Sequence, residues 1–186
     1  MTAGEFLGEL IGLLDAAQIR YMVAGSFASS FHAEPRTTND LDIVIEVDST
    51  ALNRLLGSID LDRYYVSDEA AHDALQRQSS FNLIDIKAGW KADLIVRRDR
   101  RFSHIEFERR IRVTLYERDV FVASAEDTVL SKLEWAAKGG SDRQVRDAAA
   151  ILRARTSLDH VYLNRWAQEL GVSVGLTAAR ALAAGN

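Results

Sequence analysis

Residues 40–47, Asp-Leu-Asp-Ile-Val-Ile-Glu-Val, constrain the fold more than any other stretch of the chain. The run Leu41 to Val47 is β-branched and apolar enough to be a strand buried on at least one face. Side chains alternate along an extended chain, so Asp40 and Asp42 point one way while Leu41 is buried on the other. The strand therefore opens with a two-toothed carboxylate clamp. The rest of the chain can supply the core that such a strand needs: 186 residues, 47% apolar and 27% charged, with 11 Gly and a single Pro, is ordinary globular composition.

Other segments read as elements around this strand. Phe6, Leu7, Leu10, Ile11, Leu13 and Leu14 recur at three- and four-residue spacing, the pattern of an opening amphipathic helix. Tyr21 to Ala24 reads as a short strand ending at Gly25-Ser26, and the small residues that follow read as a tightly packed helix. Ser49 can cap a helix running through Leu56, and Ser67 to Arg77 resembles a capped helix with Asp68 and Glu69 in its first turn. Phe81 to Lys87 and Lys91 to Val96 read as two strands joined through Ala88-Gly89-Trp90. From Ser124 the character changes. Ser124 with Asp127 fits a variant capping box, and the Ala-, Leu- and Arg-rich remainder is helical.

Asp93 lies in the later strand, KADLIV. If that strand pairs beside the one holding Asp40 and Asp42, three carboxylates share a face and repel unless divalent cations neutralise them. Magnesium suits all-oxygen ligands and recruits substrate phosphates to complete its octahedron. Asp85, in NLIDIK, competes for the third place.

Gly25-Ser26, the pair Asp40 and Asp42, and Asp93 together resemble the minimal nucleotidyltransferases of the DNA polymerase beta superfamily. The stretch RTTNDLDIVI, Arg36 to Ile45, looks especially like the toxin–antitoxin and abortive-infection branch, the AbiEii-like or MenT-like enzymes. SKLEWAAKGGSDRQVRDAAAIL extends the likeness into the helical part through Lys132, Arg146 and Asp147. The resemblance implies an α/β (α+β) nucleotidyltransferase fold: a small mixed sheet flanked by helices over residues 1–122, and a C-terminal helical bundle over 123–186 that forms one wall of a cleft. It implies transfer of a nucleoside monophosphate from an NTP to a hydroxyl with two Mg²⁺ ions, held by Asp40, Asp42 and Asp93 and roughly 3.5–4 Å apart. Asp93 would serve the ion beside the nucleophile and orient or deprotonate the acceptor. Gly25, Ser26, Arg36, Lys132 and Asp147 would bind the nucleotide, Ser26 and the helix N-terminus by facing its phosphates. The acceptor stays open between RNA or protein, as in a toxin with an antitoxin partner, and a small molecule such as an aminoglycoside or lincosamide. A non-catalytic nucleotide-binding or antitoxin module is the rival from another class.

Several classes lose ground. Zero cysteines exclude disulfides, thiolate metal sites and a cysteine nucleophile, and point to a cytoplasmic protein. No apolar run approaches ~20 residues and the N-terminus lacks a signal pattern, so no membrane association is expected. His32, His72, His104 and His160 show no metal-ligand spacing, and Trp90, Trp135 and Trp166 read as core or domain-contact residues. P-loop, G-x-S-x-G and HExxH motifs are absent. The net charge is −4, yet Arg97 to Arg112 carries seven Arg against three acids, leaving −8 elsewhere. That strip reads either as a self-paired charged helix or as a surface for triphosphate or an RNA backbone.

Overall fold

The computed structural model describes residues 2–33 and 40–185, which fall into two compact units: 2–24 with 40–122, and 25–33 with 123–185. In chain order the elements are α1 (Ala3–Ala16), β1 (Arg20–Val23), α2 (Gly25–His32), β2 (Asp40–Glu46), α3 (Ser49–Ser58), β3 (Tyr64–Tyr65), α4 (Asp68–Arg77) and β4 (Ser80–Asp85). They continue with β5 (Lys91–Val96), α5 (Arg101–Glu108), β6 (Ile111–Leu115), β7 (Arg118–Val122), α6 (Ala125–Gly139), α7 (Asp142–Ala154), α8 (His160–Glu169) and α9 (Ser173–Ala183).

The first unit is built on a seven-stranded mixed sheet in the order β3-β4-β5-β2-β1-β7-β6. At its centre β2 runs parallel to β5 and antiparallel to β1. Leu41, Ile43 and Ile45 of β2 and Ala92, Leu94 and Val96 of β5 are buried on one face, each large side chain contributing about 1.5–3 kcal/mol. A one-residue slip of β2 would expose its three and push Asp40 and Asp42 into the core, which pins the register. The opening helix forms as expected: Thr2 and Glu5 make a reciprocal capping box and Phe6, Leu7, Leu10, Ile11 and Leu14 are buried. One side of α1 is cut away at Gly4 and Gly8. A Cβ at Gly4 would lie 2.7 Å from the Tyr116 Cβ, and one at Gly8 2.5 Å from the Arg118 Nε, so the β6–β7 hairpin can lie close against the helix.

Some local expectations change. The cap of α3 is Asp48, whose carboxylate accepts the Ala51 N–H at 2.8 Å, so Ser49 is the first helical residue and not the cap. Ser67 caps α4 through the Ala70 N–H, as its spacing suggests. β3, β6 and β7 enlarge the sheet beyond the strands visible in the sequence. The segment 97–112 is a loop, the helix α5 and the start of β6, not one charged helix.

The second unit holds α2 and α6 to α9. The Ser124 hydroxyl accepts the Asp127 N–H at 3.1 Å and donates to the Asp127 carboxylate at 2.6 Å, so the expected box closes side chain to side chain. Arg155 donates to the carbonyls of Phe31 and His32, and the His32 ring bonds the Ala123 carbonyl at 2.7 Å, which ties α2 to a segment far away in sequence. Trp166 is buried here, whereas Trp135 is 61% exposed, contrary to its assignment to a core or contact. Trp90 belongs to the first unit, stacked on Phe6 at 6.0 Å.

Candidate active site

Register makes the site. β2 and β5 pair with Asp42 opposite Asp93 and Asp40 opposite Lys91. Alternation then puts all four on the face away from Leu41, Ala92 and Leu94. Asp40 is exposed at the strand's first residue, while Asp42, Lys91 and Asp93 are partly covered. The Ala24 N–H donates to the Asp42 carbonyl at 2.9 Å, which fixes the end of β1 beside β2.

Three like charges on one face need an opposite one, and the chain supplies it. The Lys91 Nζ lies 3.1 Å from the Asp93 Oδ1 and 4.0 Å from the Asp40 Oδ1. Its hydrogen bond to Asp93, aided by the charges of Asp93, Asp40 and Asp42, raises the lysine's pKa above its ordinary value, although burial opposes this. From the other side Asn82, opposite Asp93 on β4, donates its amide to the same Oδ1. Lys91 and Asn82 were missed in the sequence. Lys91 stands two residues before Asp93 and could have been found by alternation alone, whereas Asn82 needs the β4–β5 register.

Asp85 leaves the competition. It lies on the buried face of β4 with Phe81 and Leu83, opposite to Asn82. Its carboxylate accepts the N–H groups of Ala88 at 2.5 Å and Lys87 at 3.0 Å and the Arg63 Nε–H at 3.3 Å. These donors, the Ala88 N–H first, hold its pKa below the ordinary carboxylate value against the effect of burial. It locks the turn between two strands.

The remaining candidates are placed unit by unit. Gly25 opens α2 with φ +56°, in the left-handed region that favours glycine, and Ser26 follows in the first turn. Lys132 and Asp147 meet within the helical unit at 3.0 Å, with side chains only 6% and 14% exposed. Arg36 lies outside the described residues. Several arginines of the basic strip are engaged. Arg97 pairs with Glu46 at 2.8 Å, Arg112 pairs with Asp119 at 2.7 Å, and the Arg110 guanidinium lies 4.4 Å from the centre of the Phe107 ring.

Among the described residues, no three His, Cys, Asp or Glu side chains stand together as a ready-made metal site. The chemistry of the face nonetheless fits a hard cation: its acidic groups offer only carboxylate oxygens, and it already draws an ammonium to within 3.1 Å. No helix among the described residues is long and apolar enough to cross a membrane.

No family model and no curated protein sequence matches the chain. Solved structures do. An antigenic nucleotidyltransferase-like protein from Paracoccidioides brasiliensis superposes with a TM-score of 0.58 at 17% identity, over 95% of this chain and 90% of that one. The lincosamide antibiotic adenylyltransferase LnuA, bound to lincomycin, gives 0.55 at 12% identity, over 83% and 99%. ANT(2″)-Ia in complex with adenylyl-2″-tobramycin gives 0.52 at 13%, over 97% of both chains. The chain has the nucleotidyltransferase fold.

Proposed function

We propose that the chain is a Mg²⁺-dependent nucleotidyltransferase that moves a nucleoside monophosphate from an NTP to the hydroxyl of a small molecule. The observation that carries this is the β2–β5 register, which sets Asp40, Asp42 and Asp93 on one face of a sheet with this fold. Asp40 and Asp42 would hold Mg²⁺, which supplies neutralisation of the phosphates. Asp93 would orient that hydroxyl and take its proton, a role that the amide of Asn82 supports by fixing one carboxylate oxygen. Catalysis is thus assigned to the sheet-containing part. The nucleotide-binding roles of Gly25, Ser26, Arg36, Lys132 and Asp147 belong to the same proposal and rest on the sequence resemblance.

Two observations favour a small acceptor. One fold neighbour is a lincosamide antibiotic adenylyltransferase bound to lincomycin, and another, ANT(2″)-Ia, is in complex with adenylyl-2″-tobramycin. Two arginines of the basic strip already face acids, Arg97 on Glu46 under cover and Arg112 on Asp119 at the surface. The toxin-type reading, with RNA or protein as acceptor and an antitoxin partner, rests on the RTTNDLDIVI stretch, of which 36–39 lie outside the described residues.

One experiment separates them. The protein is incubated with radiolabelled NTPs and Mg²⁺ beside total RNA, a protein extract, and a panel of aminoglycosides and lincosamides. Label on a small molecule that disappears in Asp40→Ala/Asp42→Ala is the expected result. Label on RNA or protein would move the assignment to the toxin branch. No label anywhere, from protein whose melting temperature still rises with Mg²⁺ and a non-hydrolysable NTP, would make it a non-catalytic module.

A further inference from the structure

The four side chains on the face form a two-by-two array: Asp40 and Lys91 in one row, Asp42 and Asp93 in the next. Three corners are acidic and the fourth is a lysine whose ammonium reaches along its own strand to Asp93, at 3.1 Å, and across to Asp40, at 4.0 Å. A divalent cation bridging Asp93 to the pair on β2 would have to stand in the same electrostatic well. Two cations crowded there would repel by an amount that even partial exposure does not screen away. Asp93 is further committed by the Asn82 amide on the oxygen that the ammonium also meets.

We infer that Lys91 is the resident counter-cation of this face, taking the place of the divalent ion that would otherwise lie between Asp93 and the β2 aspartates, so that the site binds one divalent ion and not two. This rests on the nucleotidyltransferase reading and sharpens it. Asp40 and Asp42 hold the ion that travels with the NTP phosphates, while Lys91 neutralises and orients Asp93. It is a positioning residue.

The test titrates Mn²⁺ into the protein with a stoichiometric non-hydrolysable NTP, counts bound ions by electron paramagnetic resonance, and records melting temperatures in EDTA. Wild type should bind one ion. Lys91→Met, which keeps the stem and removes the charge, should bind two, the added ion being held at least about tenfold more tightly than any second ion in wild type. Its melting temperature should fall in EDTA and recover with Mn²⁺. Lys91→Arg should bind one ion, which shows that the charge and not the side-chain shape decides. Equal ion counts and equal affinities in wild type and Lys91→Met would overturn the inference. The nucleotidyltransferase reading would survive that result if Asp42→Asn loses Mn²⁺, and both fall if Asp42→Asn binds as wild type does.

Discussion

Two lysine–aspartate pairs of nearly equal length sit in different surroundings: Lys91 with Asp93 at 3.1 Å in the sheet unit, and Lys132 with Asp147 at 3.0 Å in the helical unit. The first has side chains 36% and 25% exposed, the second 6% and 14%. Distance alone would rank them alike. Burial separates them, because a partly hydrated pair is worth roughly 0–1 kcal/mol and can exchange partners cheaply, whereas loss of one member of a buried pair strands a charge. A face that a substrate must reach needs the hydrated kind, in which Lys91 neutralises Asp93 without burying it. The helical pair has the energetics of a structural tie, whatever else its lysine does.

The largest expected effect that tests this contrast falls on Asp93. Asp93→Asn should reduce nucleotidyl transfer by about 10²–10⁴-fold, the range for losing a proton acceptor, while thermal unfolding stays close to wild type. A variant that unfolds instead would make Asp93 a structural residue and erase the contrast. If Asp85→Asn abolishes transfer while remaining folded, the wrong carboxylate carries the chemistry.

Next comes the buried pair. Lys132→Met should destabilise the protein by at least about 1.5–3 kcal/mol in urea unfolding, because it removes a charge-assisted hydrogen bond of 3.0 Å to the covered Asp147. The double variant Lys132→Met/Asp147→Leu should recover most of the loss. Recovery of stability without recovery of transfer would give the pair the nucleotide-binding role implied by the sequence resemblance. A Lys132→Met protein as stable as wild type would show that burial does not separate the two pairs after all.

What the sequence disclosed follows the same physics. α1, β2 and β5 were legible because each buries one face of a regular repeat, and α4 because Ser67 stands before two acids in its first turn. The β6–β7 hairpin was not. Its two-residue turn, Tyr116-Glu117, holds both residues at positive φ, 49° and 62°, where Asn-Gly would be the usual signal, and β6 has no fully buried side chain. The two-residue strand β3 is too short to show alternation. At the site, the three carboxylates were visible as residue types and the resemblance already preferred Asp93 to Asp85, while the physical reason, that Asp85 lies on the buried face of β4, needed the structure. The Asn82 contact needed a register that no local pattern encodes.

The smallest effect concerns Asp85, the carboxylate that the fold satisfies internally with the Ala88 and Lys87 N–H groups and Arg63. Hydrogen bonds to a charged group contribute roughly 1.5–3 kcal/mol, and an asparagine keeps part of the geometry, so Asp85→Asn should cost about 1–3 kcal/mol at neutral pH. The dependence on pH has a definite sign. Because its folded pKa is depressed, the stability that Asp85 contributes is fully present above the unfolded value near ~3.9 and is lost as pH falls from there through the folded value. Urea unfolding of wild type and Asp85→Asn should therefore show a constant gap from neutral pH down to about pH 5, closing below about pH 4. A gap that widens toward acid would mean that Asp85 is held protonated, and that its buried turn is not satisfied by its own donors.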